Sequence, residues 1–178
     1  MKTVSKLLAL VLAITMIATF TAACGDKKDD AKTTAGSGGS GSDSTSVDGA
    51  AETWGDLSIF VPSSMEMKGG DGTFDPDDPK TAWLYDKENQ RNYIKVSIIA
   101  DENNAKESIA TTTSVNEKYN PASVALTAGS EWKGVYYNAN GTDVASLYSV
   151  AGDKVYLVMM GGFKFDSDVV KAVLESLK

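Results

Sequence analysis

The 178-residue chain contains no histidine and a single cysteine, Cys24. The missing imidazole excludes Ser-His-Asp and Cys-His catalysis, and with it the histidine-rich transition-metal sites. A lone cysteine has no partner within the chain, so no internal disulfide holds the fold. No glycine-rich phosphate cradle occurs. The acids Asp101, Glu102, Glu131 and Asp143 show no spacing that marks a catalytic pair. No enzyme is expected from such a chain. Long hydrophobic runs are also absent. The uncharged stretch Leu7–Phe20 covers 14 residues, short of the ~20 that a membrane-spanning helix takes.

That short run has a different use. Lys2 and Lys6 precede it as a positive n-region, and the run itself fits the h-region of a secretory signal. Thr21-Ala22-Ala23-Cys24 follows. Small residues directly before a cysteine resemble the bacterial lipobox, in which the cysteine is diacylated and becomes the new N-terminus. The resemblance implies a lipoprotein signal peptide over 1–23. It also implies a membrane attachment through acylated Cys24 on the extracytoplasmic face of a bacterial cell membrane. An odd cysteine in an exported protein calls for an explanation, and acylation supplies one. Each buried methylene adds about 0.8 kcal/mol of membrane affinity. The other reading is an ordinary signal peptide cut near Ala23, which leaves Cys24 as a free thiol.

Residues 1–23 hold two lysines and no acid, so the remaining chain has 15 basic and 24 acidic residues, a net of −9. An acidic surface disfavours nucleic acid and bare anionic membrane as partners. From Cys24 to Glu52 the composition is that of a tether, centred on Gly36-Ser37-Gly38-Gly39-Ser40-Gly41-Ser42. It has no apolar periodicity, so backbone entropy outweighs any core it could bury. A coil of this kind reaches on the order of 30 Å.

Residues 53–178 form the domain, one by length. Leu57–Val61 reads as a strand that stops at Pro62. Gly69–Pro79 is an acidic loop. Thr81–Asp86 is a second strand, with Trp83 and Tyr85 on one face. Tyr93–Ala100 alternates, with Ile94, Val96 and Ile98 on one side and Tyr93, Lys95 and Ser97 on the other. Asn103–Tyr119 carries Ala105, Ile109, Thr112, Val115 and Tyr119 near helical spacing, and Pro121 ends it. Four strands follow, over 123–127, 131–138, 143–150 and 154–160. The short turns between them imply antiparallel hairpins. Asp166–Lys178 is the clearest helix, with Val170, Val173, Leu174 and Leu177 in one stripe. The class is α+β: a single antiparallel sheet of about six to seven strands packed with two helices.

Leu57-Ser58-Ile59-Phe60-Val61-Pro62 at the start, and Val155-Tyr156-Leu157-Val158 leading into Val170–Leu177 at the end, resemble the PsbP-like fold. That family includes an extrinsic photosystem subunit and many small bacterial lipoproteins. The resemblance covers most of 54–178. It implies an α/β/α sandwich and a binding or accessory role rather than a reaction.

Two local features carry chemistry. Asp71, Asp75, Asp77 and Asp78 place four carboxylates within eight residues, as hard oxygen ligands that calcium takes. Their spacing is not that of an EF-hand, and a solvated turn has the same composition. Trp83, Tyr85, Trp132, Tyr136 and Tyr137 would make a platform for a sugar or a peptide, or would fill a core. Three functions follow from these readings. The first is a lipid-anchored, non-catalytic binding or accessory module with an envelope protein or glycan partner. The second is a cation-binding or sensing lipoprotein that uses the Asp71–Asp78 loop. The third is an envelope hydrolase.

Overall fold

The computed structural model describes residues 47–72 and 75–178. The expected signal peptide, Cys24 and the tether up to residue 46 lie outside the described residues. In chain order the elements are β1 (Gly49–Trp54), β2 (Leu57–Pro62), β3 (Met65–Gly69), β4 (Thr81–Asp86) and β5 (Tyr93–Ile99). Helix α1 (Glu102–Val115) follows, with a 3-10 turn over Glu117–Tyr119. Then come β6 (Ala122–Ala128), β7 (Ser130–Ala139), β8 (Thr142–Ala151), β9 (Lys154–Gly161) and helix α2 (Asp168–Ser176).

The class is α+β, but the single sheet of the sequence reading is corrected. Two antiparallel sheets are present, a β1-β2 hairpin and a seven-stranded sheet in the order β3-β4-β5-β9-β8-β7-β6. Hairpins build both flanks of the larger sheet. The β7-β8 turn holds Asn140 at φ 53° and Gly141 at φ 89°, the left-handed backbone that two-residue hairpin turns require. The two flanks meet where β9 pairs with β5.

Strand register sorts the side chains onto two faces. One face carries Leu84, Ile94, Val96, Val158, Met160, Leu147 and Trp132, all 0% exposed. Over it lie Leu57, Ile59 and Val61 of β2 and the α2 stripe Val170, Val173, Leu174 and Leu177. The α2 stripe is the one that helical spacing predicts. Full burial of each such side chain contributes about 1.5–3 kcal/mol. The Phe60 amide donates to Ser176 Oγ at 2.9 Å, which ties β2 to α2.

Helix α1 packs on the opposite face, against β5, β7, β8 and β9. Asp101 caps it, accepting from the Asn104 amide at 2.9 Å. The threonine run that lowers helix propensity is accommodated: Thr112 and Thr113 donate their hydroxyls to the carbonyls of Ser108 and Ile109. The buried positions are Ala105, Thr112 and Asn116. Val115, expected on the packed side, is 41% exposed. The apolar spacing was misleading there, because the stripe runs through a polar Asn116 whose amide bonds the Thr112 carbonyl.

Two strands escape the sequence pattern. β1 begins at Gly49, inside the stretch whose composition reads as tether. Its side chains before Trp54 are all exposed, so what holds it is the backbone ladder with β2 and the packing of Trp54 against the core. Trp54, its last residue, is tied down by an indole bond to the Asp78 carbonyl at 2.8 Å. β3 is five residues long and sits at the sheet edge; its Met65-Glu66-Met67-Lys68 alternation covers only four residues.

Candidate functional site

Among the described residues, helix α1 packs against β5, β7, β8 and β9, so the β3-β4 end of its own sheet face lies beyond its main contacts. Register aligns two rows of side chains across that end. Lys68, Trp83, Lys95 and Met159 form one. Glu66, Tyr85, Tyr93 and Gly161 form the other, and it continues through Val144 to Tyr137. Trp83, Tyr85 and Tyr93 are each half-buried.

The rings are held in fixed relation. Trp83 and Tyr85 are parallel, with centroids 5.8 Å apart and planes 2° from one another. Tyr93 tilts against Trp83 at 5.3 Å. A Cβ at Gly161 would lie 2.8 Å from the Tyr93 ring, so the glycine makes room for the ring to lie across β9. At the far end of the row Tyr137 stacks on Tyr119 at 5.9 Å, under the turn that follows α1.

Cations flank the rings. Lys95 Nζ lies 4.9 Å from the Trp83 ring centre, and Lys68 Nζ lies 5.2 Å from that of Tyr85, both within cation–π range. Each has a carboxylate partner. Lys68 pairs with Glu66 at 3.0 Å, and Gln90 donates to the same carboxylate at 3.3 Å. Lys95 is only 8% exposed and pairs with Asp71 in a short contact. Beside this pair, Trp83 Nε1 is buried without a hydrogen-bond partner among the described residues. An orphaned indole N–H is costly to bury.

The phenols stay protonated at neutral pH. Burial raises Tyr85, with Lys68 opposing in part. Burial raises Tyr93 as well, with Tyr85 adding to it. Tyr137 is pushed up to about 12 by burial first, then by Tyr93 and Tyr119. The face thus presents ring edges, neutral hydroxyls and neutralised ion pairs, chemistry suited to contact with a partner.

The sequence-derived candidates disperse. Trp83 and Tyr85 belong to this face. Trp132 is 0% exposed on the other face, its indole donating to the Ala128 carbonyl at 3.0 Å. Tyr136 also points to the other face, where its hydroxyl donates to Asp143 at 2.5 Å and its ring meets Phe165. The Tyr136 hydroxyl and the Asn138 amide together hold the Asp143 carboxyl below its usual range. Tyr137 shares the aromatic row but is 4% exposed.

The four loop carboxylates do not converge. Asp71 turns inward to Lys95, and Asp78 accepts from the Lys80 amide at 2.9 Å. Asp75 and Asp77 are exposed. Among the described residues no group of three or more acids or cysteines is placed to hold a metal ion. Residues 73 and 74 of this loop lie outside the described residues. Tyr93, Lys95 and Lys68 are the site members that the sequence reading passed over. Their signal was the polar side of the β5 alternation, which places Tyr93 and Lys95 two residues apart, as Trp83 and Tyr85 are on β4.

No family model and no curated protein sequence matches this chain. Among solved structures, the crystal structure of a protein from Bacteroides thetaiotaomicron VPI-5482 aligns with a TM-score of 0.40 at 16% identity. The alignment covers 68% of this chain and 44% of that one, so this chain spans less than half of the other's length. Among the described residues no helix is long and apolar enough to cross a membrane.

Proposed function

We propose that the domain is a non-catalytic binding or accessory module, lipid-anchored through Cys24 on the extracytoplasmic face of a bacterial membrane. It takes a protein partner on the β3-β4-β5 face. The observation that carries this reading is the fixed aromatic row Trp83, Tyr85 and Tyr93, partly exposed toward the β3-β4 end of the sheet face on which α1 packs. Tyrosine and tryptophan dominate binding energy where proteins meet. A protein suits the face better than a glycan, because lysine ammonium groups already lie over the Trp83 and Tyr85 rings. A sugar would have to displace them to stack flat.

The anchor rests on the lipobox resemblance of Thr21-Ala22-Ala23-Cys24. The layering, with α1 on one face of the seven-stranded sheet and α2 on the other, supports the PsbP-like α/β/α reading. Capture from envelope extract by the full chain, compared with Trp83→Ala and Tyr85→Ala, tests the binding face. Retention of one stoichiometric protein by the native chain, and its loss from both variants, is expected. Equal capture by all three would move the site elsewhere. Mass spectrometry of residue 24 tests the anchor, and an unmodified Cys24 would remove it.

A further inference from the structure

The seven-stranded sheet has two unlike edges. At β3 the half-buried Glu66 and the exposed Lys68 pair with each other. Charges of that kind deter a further strand. The opposite edge, β6, reads Ala122-Ser123-Val124-Ala125-Leu126-Thr127-Ala128. It has neither charge nor proline, and Ala122, Ser123, Ala125 and Thr127 are exposed. Among the described residues its only backbone-to-backbone hydrogen bonds are those to β7. An edge strand presents a row of outward N–H and C=O groups, and nothing in the side chains of β6 blocks them.

The β6 sequence is also a chemical palindrome about Ala125. Run antiparallel against itself, it sets Ala122 opposite Ala128, Ser123 opposite Thr127, Val124 opposite Leu126, and Ala125 opposite Ala125. Hydroxyls meet hydroxyls on one face. Branched aliphatics meet on the other, where Val124 and Leu126 already pack against the core. Cross-strand pairs of these kinds stabilise sheets. A closed two-fold interface needs one patch that is complementary to itself, and β6 meets that condition.

We infer that β6 is a homodimer edge, on which a second copy of this chain docks its own β6 antiparallel, with the two-fold axis at Ala125. The two seven-stranded sheets become one continuous sheet across the axis. The aromatic face lies at the other flank of each copy, so pairing leaves it free. The inference therefore stands apart from the partner-binding reading.

Cross-linking tests it on the full chain carrying Cys24→Ser, so that an introduced thiol is the only one. Residues directly opposite in an antiparallel pair have Cα atoms about 4.5–5.5 Å apart, within the span that a disulfide bridges. Ala125→Cys is expected to give a disulfide-linked dimer on a non-reducing gel. Asp153→Cys, exposed in the β8-β9 turn at a distance from β6, is expected to give none. Sedimentation of the detergent-solubilised chain is expected to show a dimer. Ala125→Lys, which faces two ammonium groups across the axis, should weaken that dimer about tenfold or more. Ala125 is exposed, and an unchanged circular dichroism spectrum confirms that the variant is folded. The inference is overturned by a monomer at every concentration with no cross-link above the Asp153→Cys control. A cross-link from Ala125→Cys to a different protein, or open-ended chains in place of a closed dimer, overturns it equally.

Discussion

The ion pair between Lys95 and Asp71 makes the sharpest test of how the acidic loop is used. Lys95 is 8% exposed, so its charge depends on a counterion. Breaking a buried pair from one side costs ~3–5 kcal/mol. The Asp71 side chain is 29% exposed, and water reaching it screens part of that loss. Asp71→Asn should therefore cost about 2 kcal/mol, and for a domain of this size each kcal/mol lowers Tm by roughly 3–5 °C. Asp71→Asn combined with Lys95→Met removes both charges but keeps the volume, and this double variant should stay within ~1 kcal/mol of the native protein. The double variant should then be more stable than Asp71→Asn alone. Urea denaturation followed by tryptophan fluorescence reads this directly, because Trp83 lies beside Lys95. A loss under ~0.5 kcal/mol for Asp71→Asn, or a double variant as damaged as Asp71→Asn, would refute the argument. Calcium separates it from the loop's cation reading. Added calcium should leave the Tm of both native protein and Asp71→Asn unchanged. A rise in the native protein that Asp71→Asn abolishes would return the loop to metal binding.

Three further outcomes are expected. Trp132→Ala should cost about 3–5 kcal/mol by equilibrium unfolding, because it empties the largest fully buried side chain and orphans the Ala128 carbonyl. Asp101→Ala should cost about 1 kcal/mol through loss of the α1 cap, with the bond to the Asn104 amide gone. Alkali should destabilise the protein in a defined window. The Tyr137 hydroxyl is raised to about 12 from an ordinary 10.0, so the folded state holds that proton more tightly than the unfolded chain. Its contribution is complete below pH 10 and is lost as pH climbs toward 12, on the order of 1–2 kcal/mol. Tyr137→Phe should flatten stability against pH across that window, and an unchanged slope would count against the assignment.

Much of the fold was legible along the chain, and the reasons are particular. The strands from Ser123 to Met160 declared themselves because short turns such as Asn140-Gly141 separate alternating runs. The α2 stripe did so because four apolar side chains repeat at helical spacing. The site was half legible. Trp83 and Tyr85 stood out on one strand face, whereas Trp132 looked the same in sequence and is core. Composition could not distinguish them, since only the fold sets Trp132 under β2 and α2 on one sheet face and Trp83 on the face where α1 packs. The carboxylates of 71–78 looked alike too, until the fold turned Asp71 onto Lys95 and left Asp75 and Asp77 in water.

The sequence by itself determined the α+β class, the absence of imidazole chemistry and the identity of the two helices. These depend on side-chain period and on residue inventory, which are local properties. The tertiary structure alone decided that Gly49–Trp54 is a strand, that the hairpin it forms splits from the main sheet, and that β6 is an edge. Each of those depends on which backbone lies alongside, and backbone hydrogen bonds between strands leave no periodic mark on the side chains of either one.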